Sequence, residues 1–193
     1  MSEKKSSIVF MGTPEYAAKI LRALAEAKFE IAAVFTQPDK PVGRKQILTP
    51  SEVKIYSQQH LPAAPIFQPV SLKDEAIAAQ IKELKPDFIV VAAYGKILPQ
   101  AVLDIAPCIN LHASILPKYR GASPIQSAIL AGEKQTGVTA MLMDAGLDTG
   151  DILDFDYTPC EDKTAAQLFD ELGDLAGELI VRVLLNFANL KPL

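Results

Sequence analysis

The chain contains two histidines in 193 residues, and one of them, His112, closes the run "CINLH" two positions after Asn110. An extended backbone sends side chains two apart to the same face, so a carboxamide and an imidazole would project side by side. A third polar group, Asp148, lies in "MDAGLDTGD", where Gly146 and Gly150 permit a tight loop. If the preceding stretch, "GVTAMLM", lies beside "CINLH", the Asp148 carboxylate comes within hydrogen-bond reach of the imidazole and favours its charged form. Imidazolium and carboxamide N–H groups together could hold a developing oxyanion, while the carboxylate accepts a proton from an attacking amine, directly or through water. This is acyl-transfer chemistry toward nitrogen, and it requires neither a metal nor a covalent enzyme intermediate. Spacing alone also fits a blander arrangement: a histidine capped at a strand end, an aspartate shaping a glycine turn, and an asparagine satisfying backbone groups.

The elements that would position these groups alternate along nearly the whole chain. "SSIVFM", "IAAVFT", "PDFIVVAAY", "CINLH", "GVTAMLMD" and "ILDFDYTP" read as strands. The near-continuous apolar run from Phe88 fits a strand buried on both faces. Helical patterns fall between them, in "GTPEYAAKILRALAEA", "TPSEVKIYSQQH", "SLKDEAIAAQIKELK", "LPQAVLDIA", a segment opening at "SPIQ", and the long closing stretch from Lys163 to Leu190. Thr13 is the expected N-cap of the first helix, with Pro14 at its first position. Thr49 with Glu52, and Ser123 with Gln126, have capping-box spacing. Such βα alternation predicts an α/β fold, a Rossmann-like, doubly wound and mostly parallel sheet with helices on both faces. Ligands of such sheets bind beyond the carboxyl ends of the strands, where "CINLH" would deliver His112. The one long segment without an obvious element is "QPDKPVGRKQIL", residues 37–48, and loops of that length in compact domains tend to be functional or disordered.

Composition bounds the function. The net charge of −4 does not suit a chain that clamps nucleic acid by itself. No G-x-G-x-x-G or P-loop spacing is present, which counts against a nucleotide-phosphate module. Two distant cysteines and two distant histidines form neither a disulfide framework nor a metal-ligand pattern, so reduced thiols, no metal and a cytoplasmic protein are expected. No stretch has the length of a membrane span. The polar start "MSEKKSS" lacks the apolar segment of a secretion signal.

"NLHASILPKYRGASPIQ" together with "GVTAMLMDAGLDTGDIL" resembles the signature of the folate-dependent formyltransferases. The resemblance implies that Asn110, His112 and Asp148 are the catalytic set, and that Ser114, Ile115, Leu116 and Pro117 form the turn that contacts tetrahydrofolate. Ile115 replaces the family's leucine. "AAYGKIL" resembles the pteridine-binding strand end, which implies that the backbone of Lys96, Ile97 and Leu98 holds the pterin, with the Asp144–Leu147 loop on its other side. The donor implied is 10-formyltetrahydrofolate.

The first fifty residues resemble the branch of that family whose acceptor is the methionyl initiator tRNA of translation initiation. "TQPDKPVGRKQILTP" carries that likeness. It implies that Arg44 and Lys45 meet the tRNA acceptor end, although Lys45 and Gln46 depart from the usual Gly-Lys. Tyr16 would line the methionine pocket. Members of the branch carry a further C-terminal β-barrel. Residues 1–193 would then be the catalytic domain of a monomer, with about 186–193 entering a linker and the barrel absent from this sequence. The same three groups would equally serve a formyltransferase acting on glycinamide ribonucleotide or an amino sugar, or a formyltetrahydrofolate hydrolase. A non-catalytic α/β ligand-binding module is the alternative from a different class.

Overall fold

The computed structural model describes residues 6–193, and the polar opening up to Lys5 lies outside the described residues. Among the described residues nine strands and six α-helices follow one another as β1 (Ser7–Gly12), α1 (Glu15–Glu26), β2 (Glu30–Phe35), β3 (Lys40–Val42), β4 (Ile47–Thr49), α2 (Glu52–His60), β5 (Ile66–Phe67), α3 (Glu75–Glu83), β6 (Phe88–Ala92), α4 (Gln100–Leu103), β7 (Cys108–His112), α5 (Pro124–Leu130), β8 (Gln135–Leu142), β9 (Ile152–Pro159) and α6 (Ala165–Asn186), with a 3-10 turn at Phe187–Asn189. Seven strands form one sheet in the order β5-β2-β1-β6-β7-β8-β9. The pairings from β5 to β7 are parallel, whereas β7–β8 and β8–β9 are antiparallel. The expected mostly parallel sheet is present, with an antiparallel margin on the side that carries His112.

The period of two along β1 divides the core. Ile8 and Phe10 pack toward the cluster that includes α1, α5 and α6 residues, while Val9 and Met11 face Ile81 and Val102 of α3 and α4. β6 alternates likewise, Val90 to one side and Ile89 and Val91 to the other. On the first face α1 and α6 come unusually close. A Cβ on Gly173 would stand 2.7 Å from the Lys19 side chain, and one on Gly177 would stand 2.8 Å from Ala23 Cβ. No helix among the described residues is long and apolar enough to cross a membrane.

Several local expectations are corrected. The N-cap of α1 is Pro14, with no side-chain cap, because the Thr13 hydroxyl is drawn away to donate to the Tyr94 carbonyl at 3.2 Å. Ser51 caps α2 by accepting from the Lys54 N–H, so Thr49 belongs to β4 instead. Ser123 stands at the N-cap of α5, but its side chain makes no cap bond. α6 does carry a reciprocal capping box, between Thr164 and Gln167. The segment read as lacking an element contains the antiparallel β3–β4 hairpin, turned through Gly43 (φ +71) and Gln46 (φ +47). Its residues Lys40–Thr49 are all exposed, so no buried alternation marks it.

Candidate active site

β7 emerges from the sheet with Asn110 and His112 on one face, opposite Met141 and Thr139 of β8. His112 is only 6% exposed. Its Nε2 lies 2.9 Å from the Tyr119 carbonyl oxygen. A carbonyl can only accept, so Nε2 carries a proton and Nδ1 is the nitrogen left to face the site. Nδ1 stands 3.7 Å from Asp148 Oδ2, within ion-pair range and longer than a hydrogen bond. Asn110 Nδ2 donates to Asp148 Oδ1 at 3.4 Å. The three groups singled out by type and spacing therefore do converge.

Asp148 arrives by a route the sequence conceals. Because β8 runs antiparallel to β7, its last residue, Leu142, lies opposite Ile109 at the beginning of β7. The 143–151 loop must fold back along β7 to bring Asp148 to His112. That return is tight: a Cβ on Gly150 would fall 1.7 Å from the Leu142 carbonyl oxygen. Asp144 Oδ1 holds the loop by accepting from Gly146 N (2.9 Å) and Thr149 Oγ1 (2.8 Å). Asp148 itself adopts φ +52, and its Oδ2 accepts from the Gly121 N–H at 2.8 Å. Ala93 (φ +43) and Tyr119 (φ +59) share this left-handed backbone around the same cleft. Such conformations cost a non-glycine residue of order 1–3 kcal/mol, and their clustering marks a site that the surrounding contacts over-determine.

The cleft has a volume of about 490 Å³. Asn110, His112, Asp148, Tyr16, Lys96, Ile97, Leu98, Asp144 and Leu147 all line it. Ile97 (86% exposed) and Leu147 (68%) offer apolar surface at its mouth. The Tyr16 hydroxyl donates to the Leu111 carbonyl, and burial raises its pKa. Ser114, Ile115, Leu116 and Pro117 lie behind the cleft rather than in its wall. The Ser114 hydroxyl donates to the Lys118 carbonyl at 2.6 Å, and Thr139 Oγ1 bridges the Ser114 carbonyl and the Leu116 N–H. This turn buttresses the Tyr119 carbonyl on which His112 rests.

Arg44 and Lys45 lie at the exposed tip of the β3–β4 hairpin and are not brought into the cleft. The hairpin's base is anchored to it nonetheless. Gln37 Nε2 donates to the Tyr94 carbonyl at 2.9 Å, and Gln68 Nε2 donates both to the Gln37 carbonyl and to Asp39. Lys54 closes the ring of contacts on Asp39 at 2.7 Å, and with Gln68 it holds that carboxyl below the usual carboxylate range.

Sequence reasoning missed Phe169 of α6, which lines the cleft, and the Tyr119 carbonyl and Gly121 N–H, which hold His112 and Asp148. The two backbone groups carry no side-chain signal, although both residues lie inside the stretch that drew attention to His112. Burial pushes the Cys108 thiol up to about 12, which disfavours the thiolate, and Cys108 does not line the cleft. No group of three His, Cys, Asp or Glu among the described residues could hold a metal ion.

The arrangement can polarise a carbonyl and manage one proton beside an apolar slot. Comparison with known proteins fits that chemistry. The chain is 71% identical over 186 residues to the methionyl-tRNA formyltransferase of Campylobacter curvus, covering 96% of this chain and 62% of that protein. It is 61% identical to the enzyme of the same name from Campylobacter jejuni subsp. doylei, covering 96% of this chain and 61% of that one. It thus spans about three-fifths of the length of these relatives. Among solved structures, phosphoribosylglycinamide formyltransferase from Bacillus halodurans superposes with a TM-score of 0.76 at 22% identity, covering 95% of each chain, and at that identity the likeness bears on the fold alone. The family described as formyl transferase matches residues 4–184, and the chain belongs to it.

Proposed function

We propose that residues 1–193 form the catalytic domain that moves a formyl group from 10-formyltetrahydrofolate to the α-amine of methionyl initiator tRNA. The observation that carries this reading is the convergence of Asn110, His112 and Asp148 at one end of the cleft. The name shared by the relatives supports the choice of acceptor.

The folate is a substrate here, supplying an activated formyl carbon. Its pterin suits the slot between the Lys96–Leu98 backbone and the Asp144–Leu147 loop, where Ile97 and Leu147 present apolar surface. His112, as imidazolium, donates from Nδ1 to the formyl oxygen, and Asn110 donates the amide hydrogen that Asp148 does not take. Asp148 pairs with the charged ring and accepts a proton from the attacking amine, directly or through one water. A carbon–nitrogen bond forms to the amine, the bond to N10 breaks, and the proton is returned to N10. Tyr16 and Phe169 wall the side where the acceptor's side chain would enter. The Ser114–Pro117 turn serves this reaction by fixing the backbone behind His112.

Two features bear on which acceptor is used. The N-terminus of α1 borders the cleft, a position where a helix would normally offer N–H groups to a phosphate. Here Pro14 has no N–H and Glu15 adds a carboxylate, which disfavours an acceptor carrying a phosphate at that point. The exposed hairpin instead concentrates Lys40, Arg44 and Lys45 in a chain of net charge −4. That local basic surface suits the phosphates and end bases of an acceptor stem.

The test is mass spectrometry of products after incubation with the formyl donor and, separately, methionyl initiator tRNA, glycinamide ribonucleotide, an amino-sugar nucleotide or water alone. Formyl-methionyl-tRNA as the dominant product is the expected result. Formylation of a small acceptor at a higher kcat/KM would overturn the assignment, and formate release alone would point to a hydrolase.

A further inference from the structure

Glu133 lies outside the cleft, in the turn between α5 and β8, with its backbone N–H bonded to the Ala128 carbonyl. Its Oε1 accepts from the Tyr119 hydroxyl at 2.6 Å and from Lys118 Nζ at 2.7 Å. The two hydrogen bonds hold its carboxyl below the ordinary range, the Lys118 contact first. Lys118 is 64% exposed, so its share of the clamp is weak, whereas the hydroxyl-to-carboxylate bond is charge-assisted and short. Tyr119 is the residue in left-handed backbone (φ +59) whose carbonyl meets His112 Nε2. An unrestrained tyrosine leaves that region, and its carbonyl would swing with it.

We propose that Glu133 is a positioning residue for His112. By holding the Tyr119 side chain, and Lys118 with it, Glu133 keeps the Tyr119 carbonyl under Nε2 and so confines one ring proton there. Every other proton that His112 gains or gives up then passes through Nδ1, the nitrogen facing Asp148 and the cleft. The Ser114 hydroxyl, bonded to the Lys118 carbonyl, braces the same backbone. The catalytic consequence rests on His112 acting as the oxyanion donor; the control of its tautomer does not.

Two histidines make the test direct, because His60 on the exposed end of α2 serves as an internal reference in the nitrogen-15 spectrum. At a pH where the rings are neutral, the wild-type His112 should show the Nε2–H pattern. Glu133→Ala should convert it to a mixture of tautomers with His60 unmoved, and Tyr119→Phe should do so in part. Glu133→Gln keeps an acceptor oxygen and should restore the wild-type pattern. In turnover, Glu133→Ala should lower kcat on the order of tenfold, the weight against a left-handed non-glycine residue, with the KM for folate little changed. An unaltered His112 signal in folded Glu133→Ala overturns the proposal. If that variant does not fold, an unaltered signal in Tyr119→Phe does the same. A shifted tautomer with full turnover would leave the positioning intact and refute instead the role given to His112.

Discussion

The two regions that the proposed reaction would use are built in opposite ways. Around His112 the groups are buried or half-buried and multiply bonded: Nε2 to Tyr119, Asp148 to both Asn110 and Gly121, and Thr139 to both Ser114 and Leu116. The β3–β4 hairpin has every residue from Lys40 to Thr49 exposed, including Val42, Ile47 and Leu48, and is anchored at its base through Gln37, Asp39, Lys54 and Gln68. Oxyanion stabilisation works only when donors are already aimed where charge develops, so the first region is fixed before substrate arrives. Contact with a large polyanion rests on charge and reach, which an exposed arm on a firm base supplies.

Perturbing the two regions should therefore give effects that differ in size and kind. Asp148→Asn removes the proton acceptor while keeping its shape, and formyl transfer should fall by about 10²–10⁴-fold, the span of a lost general base. His112→Ala should cost on the order of 10²–10³-fold in kcat; a variant within a few-fold of wild type would remove the ring from the mechanism. Gly150→Ala should strain the return of the Asp148 loop against the Leu142 carbonyl and destabilise the fold by roughly 1–3 kcal/mol, as overpacking does, with a matching loss of kcat. A melting temperature and activity equal to wild type would show that the loop has room to yield. Arg44→Ala should leave tRNA-independent folate hydrolysis intact, raise the KM for tRNA, and reduce the slope of log affinity against log salt by about 1. Equal losses in both reactions would make the hairpin a structural element.

The smallest effect concerns neither region and calibrates them. Glu171 accepts from Lys163 and Thr158, and those bonds, Lys163 foremost, hold its carboxyl below the usual glutamate range. A depressed carboxyl stabilises the fold fully above its unfolded value, and that contribution is lost as pH falls through the folded one. Thermal melts of Glu171→Gln should thus differ from wild type slightly at neutral pH and converge with it in acid. Divergence on acidification would contradict the pairing.

Much of the fold is legible in the chain. The fully buried stretches of β1 and β6 were readable because alternate residues face two apolar layers, and every position is therefore hydrophobic. The hairpin was not, since a two-stranded ribbon with both faces in water leaves no periodic trace. Nor was the two-residue β5, too short to show a period. Thr13 and Ser123 have the side chains of N-caps, yet one serves the Tyr94 carbonyl and the other makes no cap bond. Local spacing states what a side chain can do, and competing partners from distant segments decide what it does.

The same division holds for the site. Chain order alone required that a carboxamide and an imidazole two apart on a strand share a face, since that follows from backbone geometry. It also determined that a glycine-flanked aspartate could reach them. It took the folded molecule to show that β8 runs against β7, that the 143–151 loop doubles back, and that Tyr119 and Gly121 hold the ring and the carboxylate through main-chain groups. Every residue carries the same carbonyl and nearly every one the same N–H, so which of them meets His112 or Asp148 is set by packing in three dimensions and leaves no mark in the order of side chains.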